Sequence, residues 1–181
     1  MVFWDQIVIK ILSILTLIGT GLIVLFLIDL ILFYFIKKHV FEASFRYISK
    51  KSLFFIFIIS FFATFGSLLF SDLLKFEPCV LCWYQRILMY PQFILSLIAL
   101  MRKEKKIIYY LYILSLIGAI IAGYQYYSQV SGVSYIPCSA LGNSVSCSEY
   151  FFLEFGYITI PMMTLVAFLL IIILSFLGMK F

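Results

Sequence analysis

Residues 107–127 read Ile107-Ile108-Tyr109-Tyr110-Leu111-Tyr112-Ile113-Leu114-Ser115-Leu116-Ile117-Gly118-Ala119-Ile120-Ile121-Ala122-Gly123-Tyr124-Gln125-Tyr126-Tyr127, without one charged side chain. A helix rises about 1.5 Å per residue and a bilayer's hydrocarbon core is about 30 Å thick, so roughly 20 such residues cross it. The run shows none of the apolar–polar alternation that a barrel strand needs. It therefore reads as a transmembrane helix. Arg102, Lys103, Lys105 and Lys106 precede it, and a polar segment holding Cys138 and Cys147 follows.

Four more apolar runs are present: Ile7–Ile36, Leu53–Phe70, Trp83–Met101 and Ile158–Met179. The composition agrees. Of 181 residues, 65% are hydrophobic, 20% aromatic and only 12% charged, with a mean hydropathy of +1.17. These values exclude a soluble enzyme and a disordered chain, and leave an integral membrane protein.

The net charge of +5 bears on orientation rather than on nucleic acid. Lys37, Lys38, Arg46, Lys50 and Lys51 form one basic connection, residues 102–106 hold a second, and Lys180 follows the last run. The positive-inside rule puts these in the cytoplasm, with the N-terminus outside and the C-terminus inside the cytoplasmic membrane. Segments 71–82 and 128–157 are then extracytoplasmic. The first run is too long for a signal peptide and lacks a basic stretch before it, so it reads as a retained span. Asp29 is expected where that span meets the cytoplasmic interface, the alternative being a buried functional acid.

All four cysteines fall in the two outside segments, as suits two disulfides on an oxidising face. Cys79 and Cys82 form a C-x2-C in Glu77-Pro78-Cys79-Val80-Leu81-Cys82-Trp83-Tyr84-Gln85-Arg86. Pro78 suits the first turn of a helix. Both cysteines would then lie near a helix N-terminus, where free N–H groups and the helix dipole favour a thiolate. Arg86, four residues on, shares the face of Cys82 about one turn deeper. Its roles would be to stabilise that thiolate or an anionic ligand; the plainer alternative is that it snorkels to the headgroups. Cys138 and Cys147 enclose a Ser-, Gly- and Asn-rich loop. Their disulfide is either a staple or a bond open to thiolate attack.

A four-thiolate metal site is disfavoured, because only one short knuckle exists and the sole histidine, His39, lies in the basic linker. A non-catalytic adaptor braced by disulfides leaves Arg86 unexplained. Plainer readings suffice elsewhere: an aromatic belt for Tyr124, Tyr126 and Tyr127, packing for Met162 and Met163, and a solvated acid for Glu149. Pro91 and Pro161 are expected to kink their spans.

The stretch Pro78-Cys79-Val80-Leu81-Cys82-Trp83-Tyr84-Gln85-Arg86-Ile87-Leu88-Met89-Tyr90-Pro91 closely resembles the signature of the DsbB family, in particular its Gram-positive BdbC branch. Pro137-Cys138, Cys147 and Gly156-Tyr157-Ile158-Thr159-Ile160-Pro161 look like that branch too, so the resemblance covers roughly residues 50–181. It implies an all-α membrane protein: a DsbB-like four-helix transmembrane bundle over 52–181, with an extra N-terminal transmembrane helix and basic linker over 1–51. It also implies an enzyme that reoxidises a DsbA-like (BdbD-like) thioredoxin-fold partner and passes the electrons to a quinone, ubiquinone or menaquinone. By that resemblance Cys79 and Cys82 are the quinone-proximal pair, Cys82 contacts the quinone and Arg86 stabilises it. Cys138 is attacked by the partner, Cys147 is its resolving mate, and no metal is involved. The related vitamin K epoxide reductases place a loop pair before the C-x2-C, the opposite order. The Cys138–Cys147 stretch is shorter than in the enterobacterial proteins, and the first 50 residues have no counterpart in the family pattern.

Overall fold

The computed structural model describes residues 2–36, 42–132 and 150–180. Cys138, Cys147, Glu149 and His39 lie outside the described residues. The elements are α1 (Val2–Ile36), α2 (Glu42–Lys50), α3 (Ser52–Leu68) prolonged by a π turn (Leu69–Leu73), α4 (Val80–Arg102), α5 (Ile107–Ser131) and α6 (Ile160–Lys180). Each apolar run is thus a helix, and the chain is an all-α multi-pass membrane bundle with an additional N-terminal helix.

Among the described residues, four helical stretches are long and apolar enough to cross a membrane on composition alone: Gln6–Leu32, Ser52–Leu73, Ile107–Ser131 and Ile160–Lys180. The fifth helix, α4, has a comparable length of 23 residues but carries Gln85, Arg86, Gln92 and Ser96. Gln85, Gln92 and Ser96 are buried inside the bundle. Its polarity points at neighbouring helices, not at lipid.

Helices α3, α4, α5 and α6 close into a ring, α3 against α4 and α6, α5 against α4 and α6. Ile56, Met89, Ala99, Leu111, Phe168 and Ile171 fill its centre, while Phe65, Ile94, Ile120 and Phe176 face outward. An apolar surface of that extent suits lipid as solvent. Lipid supplies no hydrophobic drive between helices, so association rests on close packing and interhelical hydrogen bonds. A Cβ at Gly118 would overlap the Phe168 ring, and one at Gly178 the Ser52 hydroxyl. Ser115 Oγ donates to Gln92 Oε1 at 2.7 Å, and the Ser60 and Ser96 hydroxyls meet at 3.3 Å.

The connections sort to two ends. At one, Ser49 Oγ donates to the Leu177 carbonyl at 2.9 Å and ties α2 to the end of α6, beside the short 103–106 turn. Arg46, Lys50, Lys51, Arg102, Lys103, Lys105, Lys106 and Lys180 gather there. At the other end α3 passes through its π turn into the segment before Cys79, and residues 150–158 lead into α6.

Two expectations are corrected. Pro161 is the second residue of α6, where its ring and missing N–H fit the first turn and kink nothing. Asp29, expected at an open interface, is 1% exposed; protein covers it at the level where Phe45 of α2 meets Phe26 of α1.

Candidate functional site

Helix α4 starts at Val80, so Pro78 precedes the helix instead of occupying its first turn. Cys79 is the N-cap with extended backbone, φ −71° and ψ 170°, and its sulfur accepts from the Cys82 backbone N–H at 3.4 Å. A sulfur here does the work usually given to a Ser or Asp oxygen: it satisfies one of the free N–H groups of the first turn. That geometry brings the two sulfurs to 2.8 Å from each other. They are unbonded thiols, adjacent enough to close a disulfide with little movement.

A second helix completes the cluster. Gln125 of α5 donates through Nε2 to the Cys79 sulfur at 3.1 Å and to the Cys82 sulfur at 3.3 Å. Gln85, one turn below Cys82, donates to Gln125 Oε1 at 2.7 Å and fixes the orientation of that amide. Both glutamines are at least 95% buried, being 5% and 2% exposed. Tyr124 packs behind the pair with Leu81 and Ile121. Cys79 lies ahead of the helix, and its thiol is pushed up from the ordinary cysteine range, by the hydrogen bond with Cys82 first and by burial second.

Arg86 does not reach out to headgroups. Its guanidinium turns across to α3, donating to the Ser67 carbonyl at 3.2 Å and to the Ser71 hydroxyl, with the Trp83 ring 5.3 Å away. Tyr90 OH donates to Ser67 Oγ at 3.3 Å. None of these hydrogen-bond partners is a carboxylate, and Glu77 lines the same cavity. The π turn follows directly on this contact, and such widened turns recur at functional sites.

Between these groups lies a cavity of about 300 Å³. Cys82, Arg86 and Tyr90 line it on α4, Phe76 and Phe151 at its mouth and Met163 on α6, while Cys79 stays behind, 2% exposed. The volume is at the small end of the usual range for ligand sites, about 300–1,000 Å³. Mostly apolar walls, one thiol and one fixed cation, with Glu77 also on the lining, suit a flat apolar molecule carrying an oxygen that can take negative charge. Phe76 stacks on Phe151 at 4.9 Å and Phe70 meets Phe152 at 5.7 Å. Phe151 and Phe152 therefore pack on the segment that precedes Cys79, and Phe151 shares the cavity lining with Cys82.

Several contributors were not singled out from sequence. Gln125 had a visible signal, an amide inside an uncharged span, and Gln85 stands within the quoted motif. Ser67 and Ser71 had none, because their contact with Arg86 is made across helices α3 and α4. Met163, read as packing, lines the cavity. Of the three tyrosines read as a belt, Tyr124 backs the thiols, Tyr126 OH donates to the Tyr157 carbonyl at 3.2 Å and Tyr127 faces outward. Among the described residues no cluster of His, Cys, Asp or Glu could hold a metal ion.

A cysteine pair at a helix N-terminus, backed by amides and opening on an arginine-lined cavity, is redox equipment, and comparison with known proteins says whose. The family profile of the disulfide bond formation protein DsbB matches residues 49–178. The chain belongs to the DsbB family. It is 44% identical over 126 residues to the SPbeta prophage-derived disulfide bond formation protein B of Bacillus subtilis (strain 168), covering 70% of this chain and 83% of that one. It is also 44% identical over 118 residues to disulfide bond formation protein C of the same organism, covering 64% and 83%. These relatives place it in the BdbC-like branch of the DsbB family, a membrane thiol-disulfide oxidoreductase by membership. No solved structure matches. Helix α1 and nearly all of α2 precede the residues that the DsbB profile matches.

Proposed function

We propose that this protein reoxidises an extracytoplasmic DsbA-like thioredoxin-fold partner and passes the electrons to a membrane quinone. The observation that carries this reading is that Cys82, and not Cys79, lines the arginine-flanked cavity. A quinone, when bound, supplies a lipid-soluble acceptor of two electrons and two protons. The cavity's chemistry fits such a group: apolar walls for a ring, a sulfur to donate, and Arg86 to counter developing negative charge.

The chain's own residues then divide the work. A thiolate of the reduced partner attacks Cys138 in a Cys138–Cys147 disulfide, and the mixed disulfide releases Cys147. The partner's second thiol resolves the mixed disulfide, so the partner leaves oxidised. Cys147 attacks the Cys79–Cys82 bond, and exchange leaves a dithiol at the start of α4 and restores the loop bond. Oxidation of that dithiol re-forms the Cys79–Cys82 bond and yields two electrons and two protons. Cys82 faces the acceptor, Cys79 completes the bond, Gln125 holds both sulfurs in register, and Arg86 stabilises charge at the cavity. Three residues lie between Cys147 and Phe151, so no more than about 14 Å of extended chain separates their Cα atoms. Phe151 borders the cavity of Cys82, which supports exchange between the two pairs. We assign the cysteine end to the extracytoplasmic side and the basic end to the cytoplasm.

Purified protein supplied with a reduced thioredoxin-fold donor and with ubiquinone or menaquinone analogues tests the reading. Donor oxidation should depend on one or both quinones, and Cys138→Ser should abolish donor oxidation. Donor oxidation that is independent of any quinone would overturn the assignment of the acceptor.

A further inference from the structure

Helix α1 lies outside the family match, yet it borders the cavity. Leu12, Leu15 and Thr16 line it, and their spacing of three and four residues puts them on one helix face. Ile59 of α3 and Val166 and Leu170 of α6 line the same space. Ile11, Ile14, Ile18 and Leu22 are exposed on the bundle's outer surface, and Leu15, 44% exposed, sits at the edge between that surface and the cavity. One side of the helix therefore borders the cavity while the other meets lipid.

Two glycines set how closely α1 sits. A Cβ at Gly19 would come within 2.9 Å of Val166 Cγ1 and 3.0 Å of Leu170 Cδ1, and one at Gly66 within 3.3 Å of the Leu12 methyls. Leu12 and Gly19 are seven residues apart, or about 10.5 Å along the helix. The helix is thus held to α3 at one point and to α6 at another, with the cavity between them. Thr16 donates its hydroxyl to the Leu12 carbonyl at 2.9 Å. That internal bond uses the hydroxyl's proton, so Thr16 can offer a ligand in the cavity an acceptor but no donor.

We propose that α1 is the lipid-side wall of the acceptor cavity, and that Leu12, Leu15 and Thr16 set the size and shape of acceptor it takes. Without this helix the space between α3 and α6 is a groove open to lipid; with it, the space is a bounded pocket. The proposal rests on the reading that the cavity receives a quinone.

The test is photolabelling of the full chain with a short-chain azidoquinone, mapped by mass spectrometry, alongside quinone kinetics of Leu15→Trp and Leu12→Ala. Label is expected on residues 12–16 as well as on α3, α4 or α6. Leu15→Trp, which narrows the cavity, should raise the quinone KM about tenfold or more and move KM more than kcat. Leu12→Ala, which widens it, should shift preference toward the bulkier of two ring types. Circular dichroism and thermal midpoints identify any variant that fails to fold, and labelling of the unaltered chain needs no variant. Label on α3, α4 and α6 but none on α1, with KM within twofold in folded variants, would sink the α1 wall and leave the quinone reading standing. No label anywhere, together with no quinone reduction, would remove the underlying reading itself.

Discussion

At the scale of single residues, the proposed redox role of the two thiols rests on their unequal surroundings. Cys79 is buried and caps a helix, whereas Cys82 borders a cavity that also holds a cation. The amide of Gln125 touches both sulfurs. A hydrogen bond to a charged group contributes about 1.5–3 kcal/mol, and 1.4 kcal/mol is about tenfold in an equilibrium. Gln125→Leu should therefore slow alkylation of Cys82 by iodoacetamide about tenfold at fixed neutral pH, read by mass spectrometry; an unchanged rate would remove the amide from the site. Gln85→Leu should act in the same direction but more weakly, since it only orients Gln125. Arg86 donates to the Ser67 carbonyl and the Ser71 hydroxyl from one nitrogen, Nη2; a lysine ammonium is a point charge without the planar guanidinium's further donors. Arg86→Met is expected to lower kcat/KM for quinone by about 100-fold, the scale of losing one preorganised electrostatic group. Arg86→Lys should recover only part of that.

At the scale of helices, close approach does the work that hydrophobic drive does in water. Gly118 admits the Phe168 ring between α5 and α6, and overpacking a fitted core costs about 1–3 kcal/mol. Gly118→Ala should lower the thermal midpoint measurably while leaving helix content in place, and an unchanged midpoint would mean that the ring relocates freely. The runs of apolar residues, the basic connections and the C-x2-C-x3-R spacing were all legible in the sequence, because each is a local pattern. Where α4 begins was legible only to within two residues: Cys79 itself caps the helix, and a cysteine cap is not a usual signal. Asp29 was misplaced because burial depends on what packs against α1, which its own run does not encode. The partners of Arg86 were invisible for a like reason, since Ser67 of α3 and Ser71 of the π turn meet it only across the α3–α4 packing.

At the scale of the molecule, one end collects lysines and arginines and the other collects thiols, with a bounded cavity beneath the thiols. That polarity has a directional consequence. In intact cells, a cysteine placed at Gly132 should react with a membrane-impermeant maleimide, whereas one placed at Lys105 should react only after lysis; the reverse pattern would invert the assigned orientation. The central claim is that Cys82 is where electrons leave the protein. The most direct measurement mixes pre-reduced protein lacking both loop cysteines (Cys138→Ser and Cys147→Ser) with excess quinone and follows hydroquinone formation. One quinone reduced per chain, with a Cys79–Cys82 disulfide appearing in step, is the expected result, and Cys82→Ser should reduce none while keeping its helix content. Undiminished quinone reduction by that Cys82→Ser protein would contradict the claim.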